Sequence, residues 1–118
     1  MENVLSEIAK IDSSKLKNLD KFIIGRFSFS YSDALLTDGI STYHLTWREA
    51  DLLRLLCLNK NKLVYRKQAL NLIWGSDDYF LGRSMDVYIT KLRKYLMTDN
   101  KISIKAIYGK GFQLEERR

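Results

Sequence analysis

The chain has 118 residues, 46 % of them hydrophobic, and a formal charge of +6; that holds one domain with a real core and excludes a disordered tail. One cysteine (Cys57) and one histidine (His44) exclude a disulfide framework and leave no ligand set for structural zinc, so neither metal nor cofactor is expected. No apolar run approaches the roughly 20 residues of a membrane-spanning helix and no secretory pattern opens the chain, which leaves a reduced, soluble, basic protein, most simply cytoplasmic.

Residues 2–11 place Val4, Leu5, Ile8 and Ile11 on one helical face, and the polar stretch Asp12 to Lys21 reads as a linker. Phe22 to Phe29 and Asp33 to Leu36 read as short strands. Asp38-Gly39 is a hairpin signal before another strand around Ser41 to Leu45. At Thr46 the period changes. Thr46-Trp47-Arg48-Glu49 fits a capping box, and Ala50, Leu53, Leu56 and Cys57 recur at helical spacing until Asn59-Lys60-Asn61 closes the helix. A second helix is expected from Arg66 to Trp74, with Gly75 in the stop position. A third is expected from about Arg83 to Met97. A hairpin follows: Ile102 to Tyr108, the turn Gly109-Lys110-Gly111, then Phe112 to Glu115. The order is that of an α+β winged helix-turn-helix.

The charge is unevenly placed. Residues 1–47 carry net −1 and residues 48–118 net +7, with seven basic and two acidic side chains between Arg83 and Lys110. Such clustering suits a polyanion, either nucleic acid or an acidic membrane face; charge alone fits a solubilising surface equally well. The third helix narrows the choice. At about 100° per residue, Met85, Ile89, Leu92 and Leu96 share one sector, while Arg83, Val87, Thr90, Lys91 and Lys94 lie opposite with no acid among them. Asp86 and Arg93 fall on the flanks. Lysine can reach guanine acceptors or phosphates, threonine can serve either, and valine can meet a thymine methyl, so this face is equipped for a major groove. Lys110 at a glycine-rich hairpin tip can approach phosphates or the minor groove. A membrane-surface helix would need a large exposed apolar face, which is missing. An enzyme would need a concentrated nucleophile, base and acid, and His44 and Cys57 stand alone.

These residues resemble the OmpR/PhoB-type winged-helix effector domain of bacterial two-component response regulators. The likeness runs from about Phe22 to Glu115 and is carried by four segments: Leu45 to Leu53, Leu70 to Gly75, Arg83 to Leu96 and Ile104 to Phe112. It implies an N-terminal four-stranded antiparallel sheet, three helices and a C-terminal wing, with residues 22–118 forming the DNA-binding domain. Residues 1–21 would be the end of a receiver domain's last helix plus a linker, making the chain the C-terminal part of a two-domain regulator. Carried over by position, Thr90 and Lys91 face bases with Val87 and Tyr88 beside them, and Lys94 extends the same face. Arg83, Arg66 and the Trp74 indole N–H contact phosphates. Arg93 has a phosphate or base role or a structural pairing to Asp86. Lys105, Tyr108 and Lys110 belong to the wing. The loop Ser76 to Gly82, with Ser76, Asp77, Asp78, Tyr79 and Phe80, would touch RNA polymerase. The implied partners are double-stranded DNA with tandem half-sites bound by a dimer, RNA polymerase, and a sensor histidine kinase acting through a receiver absent from this chain. A stand-alone winged-helix regulator or a winged-helix protein–protein module is the alternative. Two positions depart from the family pattern. Tyr108 stands where Arg is usual, so minor-groove insertion either passes to Lys110 or is absent. Tyr65 stands where a Ser or Thr cap is usual, which weakens that cap by about 1 kcal/mol.

Overall fold

In the computed structural model, residues 20–76 and 79–117 are described. The expected helix at Val4 to Ile11, most of the linker after it, and Asp77 and Asp78 lie outside them. Four short strands come first: β1 (Lys21–Ile24), β2 (Phe27–Ser30), β3 (Leu35–Thr37) and β4 (Thr42–His44). They form an antiparallel meander in chain order. Phe22 pairs with Phe29, and Leu36 sits between Phe29 and Tyr43. Ile24, Phe27, Phe29 and Leu36 point into the core, the period-two signature of a half-buried sheet.

Phe22 to Phe29 is a hairpin and not one strand. Gly25 adopts a left-handed φ of +58°, and the turn is held from outside: the Gly25 N–H donates to Glu116 Oε1 at 2.6 Å and the Arg26 N–H to Asp99 Oδ2 at 3.0 Å. The next strand also begins later than Asp33. Asp33 instead accepts from the Ser30 hydroxyl at 2.8 Å, and Ala34 takes a φ of +51°. The Asp38-Gly39 hairpin forms as expected, with Asp38 Oδ1 accepting from the amides of Ile40 and Ser41 at 2.9 and 2.8 Å.

Three helices follow: α1 (Trp47–Leu58), α2 (Arg66–Trp74) and α3 (Tyr79–Leu96). The capping box opens α1, the Glu49 N–H donating to Thr46 Oγ1 at 3.2 Å and the Thr46 N–H to Glu49 Oε1 at 2.8 Å. The helix buries Ala50, Leu52, Leu53, Leu55 and Leu56. Tyr65 makes no side-chain cap for α2, and Gly75 ends that helix in the left-handed region at φ +77°. The helix α3 begins at Tyr79, one turn before the expected Arg83. Gly82, which punctuates the sequence like a loop residue, is inside the helix; the Arg66 guanidinium lies against it and leaves little room for a side chain.

The wing consists of β6 (Ile102–Ile107) and β7 (Gly111–Glu116). Its turn is Tyr108-Gly109-Lys110, one residue earlier than expected, and Gly111 begins the returning strand. A further strand, β5 (Val64–Tyr65), pairs with β7 and completes a three-stranded sheet ordered β5-β7-β6. Gly111 is required at that pairing: a Cβ would fall inside contact distance of the Val64 carbonyl. One continuous core joins both sheets and the three helices, with Met85, Ile89, Leu92 and Leu96 of α3 at its centre.

Candidate nucleic-acid interface

The recognition face is positioned from three directions. From α2, Arg66 donates from Nη1 and Nη2 to the two Asp86 oxygens at 2.9 and 3.0 Å, and from Nη2 to the Gly82 carbonyl at 2.6 Å. A two-pronged guanidinium–carboxylate pair fixes orientation as well as distance. The Arg66 backbone N–H also donates to the Lys110 carbonyl at the wing turn, at 2.9 Å. From the wing, the Ile104 carbonyl accepts from Arg93 Nε at 2.9 Å. From α1, Arg48 Nη1 donates to the Ile73 carbonyl while its guanidinium sits 5.3 Å from the Trp74 ring, which holds the end of α2 just before the turn into α3. Trp74 in turn meets Tyr88 with ring centroids 5.8 Å apart.

With its inner face buried, α3 leaves Arg83, Val87, Thr90, Lys91 and Lys94 exposed together. The sequence-derived stripe is therefore one physical surface. Thr90 lies on the side toward the wing, where α3, Arg66 and the hairpin enclose an open cleft of about 400 Å³. Lys91 lies on the opposite side, its ammonium 5.8 Å from the Tyr88 ring, and Tyr88 itself is half-buried. At the wing tip Tyr108 and Lys110 are exposed, and Gly109 takes a φ of +72°. Lys105 is on the wing's flank, 3.7 Å from Glu115 of the neighbouring strand.

Several expected site residues have partners within the protein. The guanidinium of Arg66, expected at a phosphate, reaches across to α3, where it pairs with Asp86 and the Gly82 carbonyl. Of the alternatives expected for Arg93, the pairing to Asp86 is not the one formed: Arg66 takes Asp86, and Arg93 donates to the wing. Trp74 is half-buried between Arg48 and Tyr88. Tyr79 and Phe80 are in the first turn of α3, so the loop before it is shorter than Ser76 to Gly82. Neither the role of Arg66 nor that of Gly82 was visible locally, because their partners lie 16 and 20 residues apart in the chain.

Groups with displaced titration lie away from this face. Burial, and then the hydrogen bond to Asp51, push the Tyr31 hydroxyl up; burial followed by the Glu49 charge does the same for Tyr95. Burial pushes the Cys57 thiol to about 12. Among the described residues no three His, Cys, Asp or Glu side chains are grouped to hold a metal ion.

The chain matches the family described as "Transcriptional regulatory protein, C terminal" over residues 41–114. It belongs to that family, the OmpR/PhoB-type effector domains. The effector domain is 43 % identical over 107 residues to the transcriptional regulatory protein RprY of Bacteroides fragilis, covering 91 % of this chain and 45 % of RprY. It spans less than half the length of the curated relatives it matches. The DNA-binding domain of CpxR from E. coli shares its fold at a TM-score of 0.73 and 19 % identity, over 83 % of this chain and 98 % of that one. So does the DNA-binding domain of Klebsiella pneumoniae RstA, solved in complex with the RstA box, at a TM-score of 0.68 and 24 % identity, over 80 % of this chain and 96 % of that one. The winged-helix fold expected for this effector domain is the one observed, with an added short strand at the base of the wing.

Proposed function

We propose that this effector domain binds specific sequences in duplex DNA and regulates transcription, with α3 in the major groove and the wing on the adjoining backbone or minor groove. The observation that carries the reading is the exposed face of α3: three cations, a hydroxyl and a small apolar group, with its neighbouring acid, Asp86, neutralised by Arg66. A solvated helix that only keeps a protein soluble mixes both signs of charge. Phosphates would be met by Arg83, Lys94 and Lys110, and base edges by Val87, Thr90 and Lys91. That the RstA domain, which shares this fold, was solved in complex with its RstA box supports DNA binding.

In the same reading the domain works in the cytoplasm as a dimer on tandem half-sites. It is switched by a receiver domain that a sensor kinase phosphorylates, and it meets RNA polymerase through the turn around Ser76 and the first turn of α3. The deciding experiment is selection of bound sequences from a random duplex pool. The expected product is a motif repeated at about one helical turn. Retention of no sequence over the starting pool would refute the proposal.

A further inference from the structure

Thr90 Oγ1 donates its proton to the Asp86 carbonyl at 3.0 Å. A threonine hydroxyl has only one proton. With that proton held by the backbone, Oγ1 can accept a hydrogen bond but not give one, and the side chain presents an acceptor beside a methyl. Val87 stands three residues earlier on the same face and is 55 % exposed, and residues three apart on a helix are neighbours. The two therefore form one small apolar spot with a single acceptor at its wing-side edge. Lys91 is on the other side of Val87, drawn toward the Tyr88 ring, and it supplies donors only. The reading face is thus graded: acceptor and methyl at Thr90, methyls at Val87, donors at Lys91.

The major groove offers one base pair that matches the wing-side part of this gradient. An A·T pair displays the adenine N6 donor and the thymine methyl, whereas a G·C pair displays the guanine N7 and O6 acceptors and the cytosine donor with no methyl. Against guanine, Oγ1 would face another acceptor unless the hydroxyl turned and gave up its bond to Asp86. Resting on the proposal that α3 reads DNA, we infer that Thr90 and Val87 together select an A·T pair, with adenine N6 donating to Thr90 Oγ1 and the thymine methyl against Val87. Lys91 takes the neighbouring guanine or phosphate. The three side chains span about 6 Å along the helix axis, so the A·T pair and the Lys91 contact lie within about two base-pair steps.

The test uses the full chain. Selection from a random duplex pool is run with the wild type, Val87→Ala and Thr90→Val, and the position whose preference changes in both variants is the one these side chains read. In the wild-type site that position is expected to be A·T. Replacing its thymine with deoxyuridine removes only the methyl and is expected to weaken wild-type binding about 3- to 5-fold, as burial of one methyl implies. Val87→Ala is expected to bind both duplexes equally. Thr90→Val keeps the methyl and removes the acceptor, and is expected to lose about 5-fold or more of the discrimination against G·C. A selected motif with G·C at that position, or a deoxyuridine duplex bound as well as the thymine one by the wild type, overturns the inference and leaves DNA binding intact. Failure to select any motif overturns the functional proposal and this inference with it.

Discussion

Lys91 and Arg83 share the exposed face of α3 but act on different parts of a duplex. Lys91→Ala is expected to weaken the selected site by about 1–3 kcal/mol and to relax preference at one or two positions. Arg83→Ala should weaken selected and random duplexes alike, and titration of each protein with both duplexes by fluorescence anisotropy separates the two patterns. Arg66 is a different case, because its guanidinium orients Asp86 and Gly82 within the protein. Arg66→Ala should lower affinity while leaving the slope of log affinity against log salt unchanged. A slope smaller by about 1 would instead make Arg66 a phosphate contact. At this scale, the sequence made visible what is local. The Thr46–Glu49 capping box is legible because its partners are three residues apart and its chemistry is reciprocal. The Arg66–Asp86 pair is hidden because the partners sit on different helices, and only the fold brings them together. Cys57 was placed on an apolar helix face by periodicity alone. With its thiol raised to about 12, it should resist alkylation at pH 8 until denaturant is added, since the thiolate is the reactive species.

Among the elements, the β1–β2 hairpin has its turn held by contacts outside itself. Asp99 is buried after α3, and its carboxylate accepts from the Lys101 and Arg26 amides at 3.0 Å each. Those two bonds, the Lys101 one first, hold its pKa below the ordinary aspartate range. A carboxyl whose folded pKa is depressed stabilises the fold above its unfolded value, near 3.9, and loses that contribution as pH falls through the lower folded value. Asp99→Asn should therefore destabilise the protein at neutral pH and flatten the acid limb of its stability profile below about pH 4, measured by urea unfolding at a series of pH values. Gly25→Ala should act on the same clasp. It places a methyl against the Asp99 carboxylate and forces a left-handed backbone on alanine, an expected loss of about 1–2 kcal/mol. The periodicity of Phe22 to Phe29 concealed this turn, since apolar residues alternate on both sides of it and its restraints come from residues 73 and 91 positions away. β5 was hidden for a related reason. Two residues carry no period, and Val64-Tyr65 is a strand only because β7 passes beside it.

For the whole molecule, the two halves of unequal charge are joined at the base of the wing. Glu116 accepts from Gly25 and lies 3.5 Å from Lys60, and Asp99 accepts from Arg26. The near-neutral front sheet is thus fastened to the basic part, and these acids are occupied there. What faces a duplex is the group Arg83, Lys91, Lys94 and Lys110. Each phosphate neutralised contributes about −0.9 to the slope of log affinity against log salt. If the three cations proposed at phosphates, Arg83, Lys94 and Lys110, each neutralise one, one copy on one half-site should give a slope of about −2.7, roughly a 40-fold loss of affinity between 50 and 200 mM salt. Two copies side by side should give about twice that slope on a duplex with two half-sites, and the single-copy value when one half-site is scrambled. Measuring both duplexes across a salt series checks the charge placement and the dimer together. Equal slopes on the two duplexes would exclude tandem binding. A slope near zero on either would mean that the basic excess of residues 48–118 serves solubility, the reading that composition alone allowed.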